Sequence, residues 1–404
     1  MRAKLRDIQV HPIQHQGQQM LLLRDPLQLG EGAIAVPRAM GLLLGLMDGT
    51  RDEAALEAAL QVRAGVRLAP GLLDQLLADL DRAYLLDNER FAEAKSAAAQ
   101  AYRQAPFRPL TMDGAAFATR ADLASAQLQS YMDQLPQVDA QLQAAPVRGL
   151  VSPHIDYQRG GPVYAEVWRA AARAAREAEL VIILGTDHQG SPGTITATRQ
   201  SYATPWGVLP TDQEVVDALA EALGDEAIFD EELHHRGEHS IELASNWLHF
   251  IRDGEPVSIV PLLCGSFAAF VEGYADPAAH EPFARAVDVL WQAMTSRPAL
   301  VVAAADLAHV GPAFGDPHGL DYIGRAQLRK ADERLLETIY RGDASAFFEE
   351  IKAEGDRRNI CGLPPIYLML RILNESSGET TGYDVCPADP QGTSFVTIAG
   401  VILH

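Results

Sequence analysis

Val147-Arg148-Gly149-Leu150-Val151-Ser152-Pro153-His154 and, further on, Leu180-Val181-Ile182-Ile183-Leu184-Gly185-Thr186-Asp187-His188 decide how this chain folds. Each is a short apolar run of strand length that ends in a histidine. The segment between them, residues 163–179, reads as a helix. Strand, helix, strand is the βαβ unit. In open α/β sheets ligands bind outside the carboxyl ends of the strands. His154 and His188 are therefore expected side by side at one sheet edge.

Downstream the alternation continues. Residues 257–263 form a buried apolar run, and residues 299–305 a second, which ends in Asp306-Leu307-Ala308-His309. A run this apolar is expected at the centre of a sheet, covered on both faces. Residues 194–198 alternate like a strand, and Ala203-Thr204-Pro205-Trp206-Gly207 reads as a rigid turn. Helices are expected over 212–223, 238–251, 283–294, 321–340, 344–355 and 366–373, with terminal strands at 383–385 and 394–403. The fold class is α/β: a mixed, largely parallel sheet flanked by helices, over residues 147–404.

Upstream, residues 1–92 read as a small α+β unit. Two short apolar runs, 21–23 and 34–36, precede helices at 37–47, 52–62 and 70–82, and a strand and turn close it at 84–91. Leu72, Leu73, Leu76, Leu77 and Leu80 give the third helix one apolar face. This is a winged-helix-like arrangement. Its third helix carries Asp74, Asp79 and Asp81 against Arg82, a poor surface for phosphates. Residues 93–146 are Ala- and Gln-rich and broken by Pro106, Pro109, Pro136 and Pro146; they read as a helical linker without chemistry.

Composition narrows the function classes. At 404 residues two domains are expected. The net charge of −21 argues against nucleic acid as a partner. No run reaches the roughly 20 apolar residues that cross a bilayer, and the start lacks the apolar core of a secretory signal. Three cysteines, Cys264, Cys361 and Cys386, are too few for a disulfide framework. A reducing cytoplasm is the expected location.

Four histidines stand at strand ends or helix starts: His154, His188, His239 and His309. Each has an acidic neighbour: Asp156, Asp187, Glu238 and Asp306. Imidazole with carboxylate suits a first-row transition metal, and two His plus one carboxylate is the non-haem Fe(II) pattern. The carboxylates can instead orient the rings through their second nitrogens. A histidine left off the metal can serve as acid or base. If the chain turns helically after residue 305, Asp306 and His309 share a face, Asp306 near the metal and His309 as acid or base. His234 and His235 are assigned to a polar loop, His249 to a helix face, and Cys361 to packing at a helix start.

Residues 148–404 resemble the Memo-like family, whose bacterial members are called AmmeMemoRadiSam system protein B. The resemblance rests on Ser152-Pro153-His154-Ile155-Asp156-Tyr157 with Gly160-Gly161, Leu184-Gly185-Thr186-Asp187-His188, Thr204-Pro205-Trp206-Gly207, Glu238-His239-Ser240-Ile241-Glu242, Val260-Pro261-Leu262-Leu263, Asp306-Leu307-Ala308-His309 and Cys361-Gly362. It implies the fold of the class III extradiol dioxygenases (LigB-like), where a His-His-Glu site holds Fe(II) and another His does acid/base work. Carried over, it implies a divalent metal at His154, His188, His239 and Asp306, with Fe(II) first and copper or zinc as alternatives. His239 and His309 are the expected acid/base residues, and Asp156, Asp187, Glu238 and Glu242 support the ligands or substrate. Some relatives carry a cysteine where this chain has Ala308, so that thiolate is missing here. The family name implies a radical-SAM protein as partner; the alternative is a non-catalytic peptide- or protein-binding module using a vestigial dioxygenase cleft. Residues 10–92 resemble the PqqD-like domains through Leu23-Arg24-Asp25-Pro26, Leu46-Met47-Asp48-Gly49-Thr50 and residues 80–86 with Phe91, which implies a peptide ligand added at a sheet edge.

Overall fold

The computed structural model describes residues 2–30, 32–112, 118–136 and 146–404. The chain forms two compact units, Met1–Gln104 and Ala105–His404.

In the first unit, strands Gln9–His15, Gln18–Arg24 and Ile34–Pro37 pair antiparallel in that order. Helices Gly41–Leu46, Glu53–Ala64 and Leu72–Arg82 follow. Asp52 caps the second through the Ala55 amide, and Gly65, at φ 67°, ends it in the left-handed conformation. The expected strand and turn at 84–91 does not form. Leu86 makes one isolated bridge to Leu5, and the chain goes straight into the helix Glu89–Gln104. Asn88 starts that helix by accepting the Phe91 amide at 3.0 Å, which turns the chain out of the sheet direction. Part of the expected linker, residues 93–104, is thus helix of the first unit.

The second unit is built on an eight-stranded mixed sheet. Its order is His309–Val310, Phe395–Leu403, Gly149–Ser152, Ala299–Ala304, Leu180–Thr186, Ser258–Cys264, Ile195–Ala197, with Gly378–Pro387 also pairing to Phe395–Leu403. The four strands starting at Gly149, Ala299, Leu180 and Ser258 are mutually parallel; Phe395–Leu403 and Ile195–Ala197, next to them on either side, run antiparallel to them. Successive residues point to opposite faces. Leu180, Ile182 and Leu184 join one core with Val260, Val301 and the helix Leu363–Leu373. Val181 and Ile183 join the other with Val302, Trp168 and Trp247 from the helices Tyr157–Ala170 and Ser240–Ile251. Both faces are covered, as a parallel sheet requires.

The crossover helix starts at Tyr157, ahead of residue 163, because the Asp156 carboxylate caps it through the Arg159 amide; it ends at Ala170, and a short helix Ala172–Glu177 follows. The turn at 203–207 is the tip of a two-stranded hairpin, Tyr202–Thr204 with Gly207–Leu209. No helix among the described residues is long and apolar enough to cross a membrane.

Ile182 sits at the middle of the central sheet and is fully buried. Ile182→Ala is expected to cost about 3 kcal/mol through lost transfer energy and a cavity, read as a lowered denaturation midpoint with an unchanged slope.

Candidate metal centre

Parallel register brings the site together. Ser152 and Gly185 both lie beside Ala304, so the three strands end level. His154, Asp306 and His188 leave these ends as neighbours. Rings of His154 and His188 are 5.1 Å apart, nearly perpendicular, and His154 lies 5.5 Å from His239. His188 and His239 stack at 5.1 Å. Gly185 permits this arrangement. The start of the helix Ser240–Ile251 presses directly on its strand, and a Cβ there would fall 2.5 Å from Ser240 Oγ.

Each ring is held through Nδ1. His154 Nδ1–H donates to the Ala304 carbonyl at 2.9 Å. His188 Nδ1–H donates to Glu238 Oε2 at 2.9 Å, and His239 Nδ1 lies 3.1 Å from Glu238 Oε1. Glu238 also accepts the amides of His188, His239 and Ser240. One buried carboxylate therefore fixes two rings and the start of a helix. Burial opposes its charge, but the charge and hydrogen bond of His188 and the bond from His239 hold Glu238 well below the usual carboxylate range.

With Nδ1 engaged, the Nε2 atoms are the ring nitrogens that an ion could meet. His154 Nε2 lies 3.4 Å from Cys361 Sγ. One ligand atom each from His154, His188 and Cys361 lie within 4.8 Å of one another, as do atoms of His188, Glu238 and His239. In the second group Glu238 already serves both rings as acceptor, so the first is the better pocket for an ion. Nitrogen and thiolate donors suit a first-row transition metal.

Cys361 thus faces the histidine cluster, where the sequence alone suggests only packing at a helix start. It lies in the loop between the helices Ala344–Ala353 and Leu363–Leu373. Thr186 Oγ1 donates to the Cys361 carbonyl at 3.0 Å, and the Gly362 amide to the Asp306 carbonyl at 3.1 Å. Residue 362 must be small, because a Cβ there would meet that carbonyl at 2.3 Å. Burial pushes the thiol up, yet the charges of His154 and His309 and the bonds from His154 and His188 outweigh it and bring it down to about 5. The same pairing raises His154 to about 9 against its burial, through Asp306 first and Cys361 second.

The other expected site residues are placed as follows. Asp306 is buried at the site, where its Oδ1 accepts the amides of His154 and Ile155 at 2.8 and 3.3 Å; it holds the His154 turn, and its Oδ2 is 3.7 Å from His154 Nε2. The chain makes no helical turn after residue 305. It stays extended into the strand His309–Val310, because His309 pairs with Val396. The His309 ring packs on Phe314, with Nδ1 3.2 Å from the Leu307 carbonyl, and reaches the cluster through its charge on Cys361. Asp156 caps a helix and pairs with Arg159. Asp187 pairs with His234, Nδ1 to Oδ2 2.8 Å. Glu242 faces Arg108 and the amides of Thr111 and Met112 in the core, and so supports the scaffold and no ligand. His235 lies in no loop. It is buried between the Tyr202 hydroxyl and the Thr196 carbonyl, and burial pushes it down to about 3. His249 is likewise buried, bonded to Thr204 and Gly254.

In the metal-free protein, thiolate absorbance of Cys361 is expected to titrate near pH 5. His154→Ala removes its foremost stabilising charge, so the transition should move up in pH. An unmoved midpoint in that variant refutes the pairing.

Comparisons with known proteins identify the family. The Memo-like protein profile matches residues 108–392. A MEMO1 family protein of Aquifex aeolicus is 25% identical over 391 residues, 95% of this chain and 96% of its own length. A MEMO1 family protein of Thermotoga neapolitana is 29% identical over 244 residues, 58% of this chain and 77% of its own. One of Methanopyrus kandleri is 28% identical over 242 residues, 58% of this chain and 75% of its own. The matched span covers well over half of the chain and includes His154, His188, His239 and Cys361-Gly362, so the chain belongs to the Memo-like family.

Proposed function

We propose that the second unit is a metal-dependent oxidoreductase of the dioxygenase-like class, with one transition ion held by His154, His188 and Cys361. The observation that carries this reading is the convergence of two imidazoles and a lowered-pKa thiol at 4.8 Å or less. Fe(II) is the ion expected from the family; the thiolate also suits copper or zinc. When bound, such an ion supplies Lewis-acid or one-electron chemistry. His239 stands beside His188, about a third exposed, with Nδ1 facing Glu238. With Nδ1 on Glu238, its Nε2 is the atom that can take or give a proton. Asp306 keeps His154 in place and Glu238 keeps His188 and His239 in place, so both carboxylates orient rings and do not ligate.

Elemental analysis of anaerobically purified protein tests this. One ion per chain is expected, with His188→Ala and Cys361→Ala each lowering occupancy by roughly tenfold or more, and His239→Ala retaining it. Trace metal that ignores His188→Ala sinks the assignment.

We also infer a peptide ligand for the first unit. The strand Gln9–His15 is largely exposed and pairs on one side only, to Gln18–Arg24, among the described residues. Such an edge accepts an added strand. Calorimetry of the full chain against extended peptides and a DNA duplex decides; heat from the duplex alone, falling steeply with salt, refutes it.

A further inference from the structure

Arg108 is fully buried and lies 46 positions before His154. It is also the first residue of the span matched by the family profile. Its backbone bonds to the hairpin on both sides, N–H to the Ser201 carbonyl at 2.8 Å and carbonyl to the Ala203 amide at 3.0 Å. Its guanidinium lies over the Tyr202 ring and spreads its donors fanwise. Nε–H donates to the His235 carbonyl and Nη2–H to the Glu238 carbonyl, both at 2.7 Å. Nη1–H pairs with Glu242, and Nη2–H also reaches Thr111 Oγ1 at 3.2 Å.

We propose that Arg108 is a positioning residue for the metal centre: by gripping the carbonyls of residues 235 and 238 it sets the turn from which Glu238 holds His188 and His239. The inference rests on the metal reading for its ligand but not for its geometry. A guanidinium suits the task because its planar fork satisfies separated acceptors at once. A lysine ammonium at the same position retains the charge opposite Glu242 but loses the fork. The carbonyl bonds and the ion pair can therefore be separated. Glu242→Gln weakens the pair and leaves both carbonyl bonds to Arg108.

Full-length protein labelled with 15N-histidine tests this without metal. Wild type is expected to show exchange-protected, downfield ring N–H signals for His188 and His239. Arg108→Lys is expected to lose or broaden both at a temperature where it remains folded, while Glu242→Gln lowers the melting temperature and leaves them in place. With Co(II) as probe, Arg108→Lys is expected to bind roughly tenfold more weakly, in the range of disrupted supporting residues, with an altered visible spectrum. If Arg108→Lys fails to fold, Thr111→Val replaces it; removing one partner of the guanidinium should shift the same signals less. Unchanged histidine signals in the folded variant reduce Arg108 to a core ion pair and overturn the proposal. Wild-type protein that shows those signals but takes up no Co(II) overturns the metal reading alone and leaves the positioning role supported.

Discussion

Everything at the centre depends on four parallel strands ending level. Their backbone groups are paired only in one register, and both faces are buried, so a slip of one residue would exchange the two apolar cores. That constraint leaves the residues after Ser152, Ala304 and Thr186 no choice of location. Chemistry at this edge is assembled by the sheet first and by local sequence second.

Charges at the edge are mutually dependent. His154 and His188 are drawn toward their protonated forms, while Glu238 and Cys361 are drawn toward their anionic forms. Protons on the two imidazoles thus compensate the thiolate and carboxylate in metal-free protein. A cation entering the cluster displaces protons, so uptake is coupled to pH.

The sheet is legible in the sequence because its strands are continuous apolar runs, a pattern that burial on both faces imposes. His154, His188 and Asp306 are legible as residues that follow such runs. Cys361 is not, because nothing local distinguishes a thiol facing two rings from one packed at a helix start. Its neighbour Gly362 held the available signal, since a glycine before Leu363-Pro364-Pro365 marks a close backbone approach. The Asp156 cap was readable from Asp at the start of a helical pattern, yet its spacing from His154 also fits a ligand's companion. Arg108 escapes local reading altogether, and Glu242 is singled out there only as a residue supporting ligands or substrate, not as its partner. A buried ion pair spanning 134 positions leaves no periodicity at either end.

Arg108 also bears on how such a chain can be lengthened in evolution. Glu242 lies in the core with its carboxylate turned to Arg108, Thr111 and Met112. Splitting a buried pair of this kind costs about 3–5 kcal/mol, so the stretch around residue 108 travels with the sheet, although it precedes the first strand by an entire helix. A module grafted ahead of this domain upstream of Ala105 leaves the Arg108–Glu242 pair intact, whereas one that replaces the chain up to Pro146 removes Arg108 from Glu242. The boundary that matters for gene fusion is thus set by an electrostatic debt inside the core, and the proline-broken composition of residues 106–146 disguises it as a spacer.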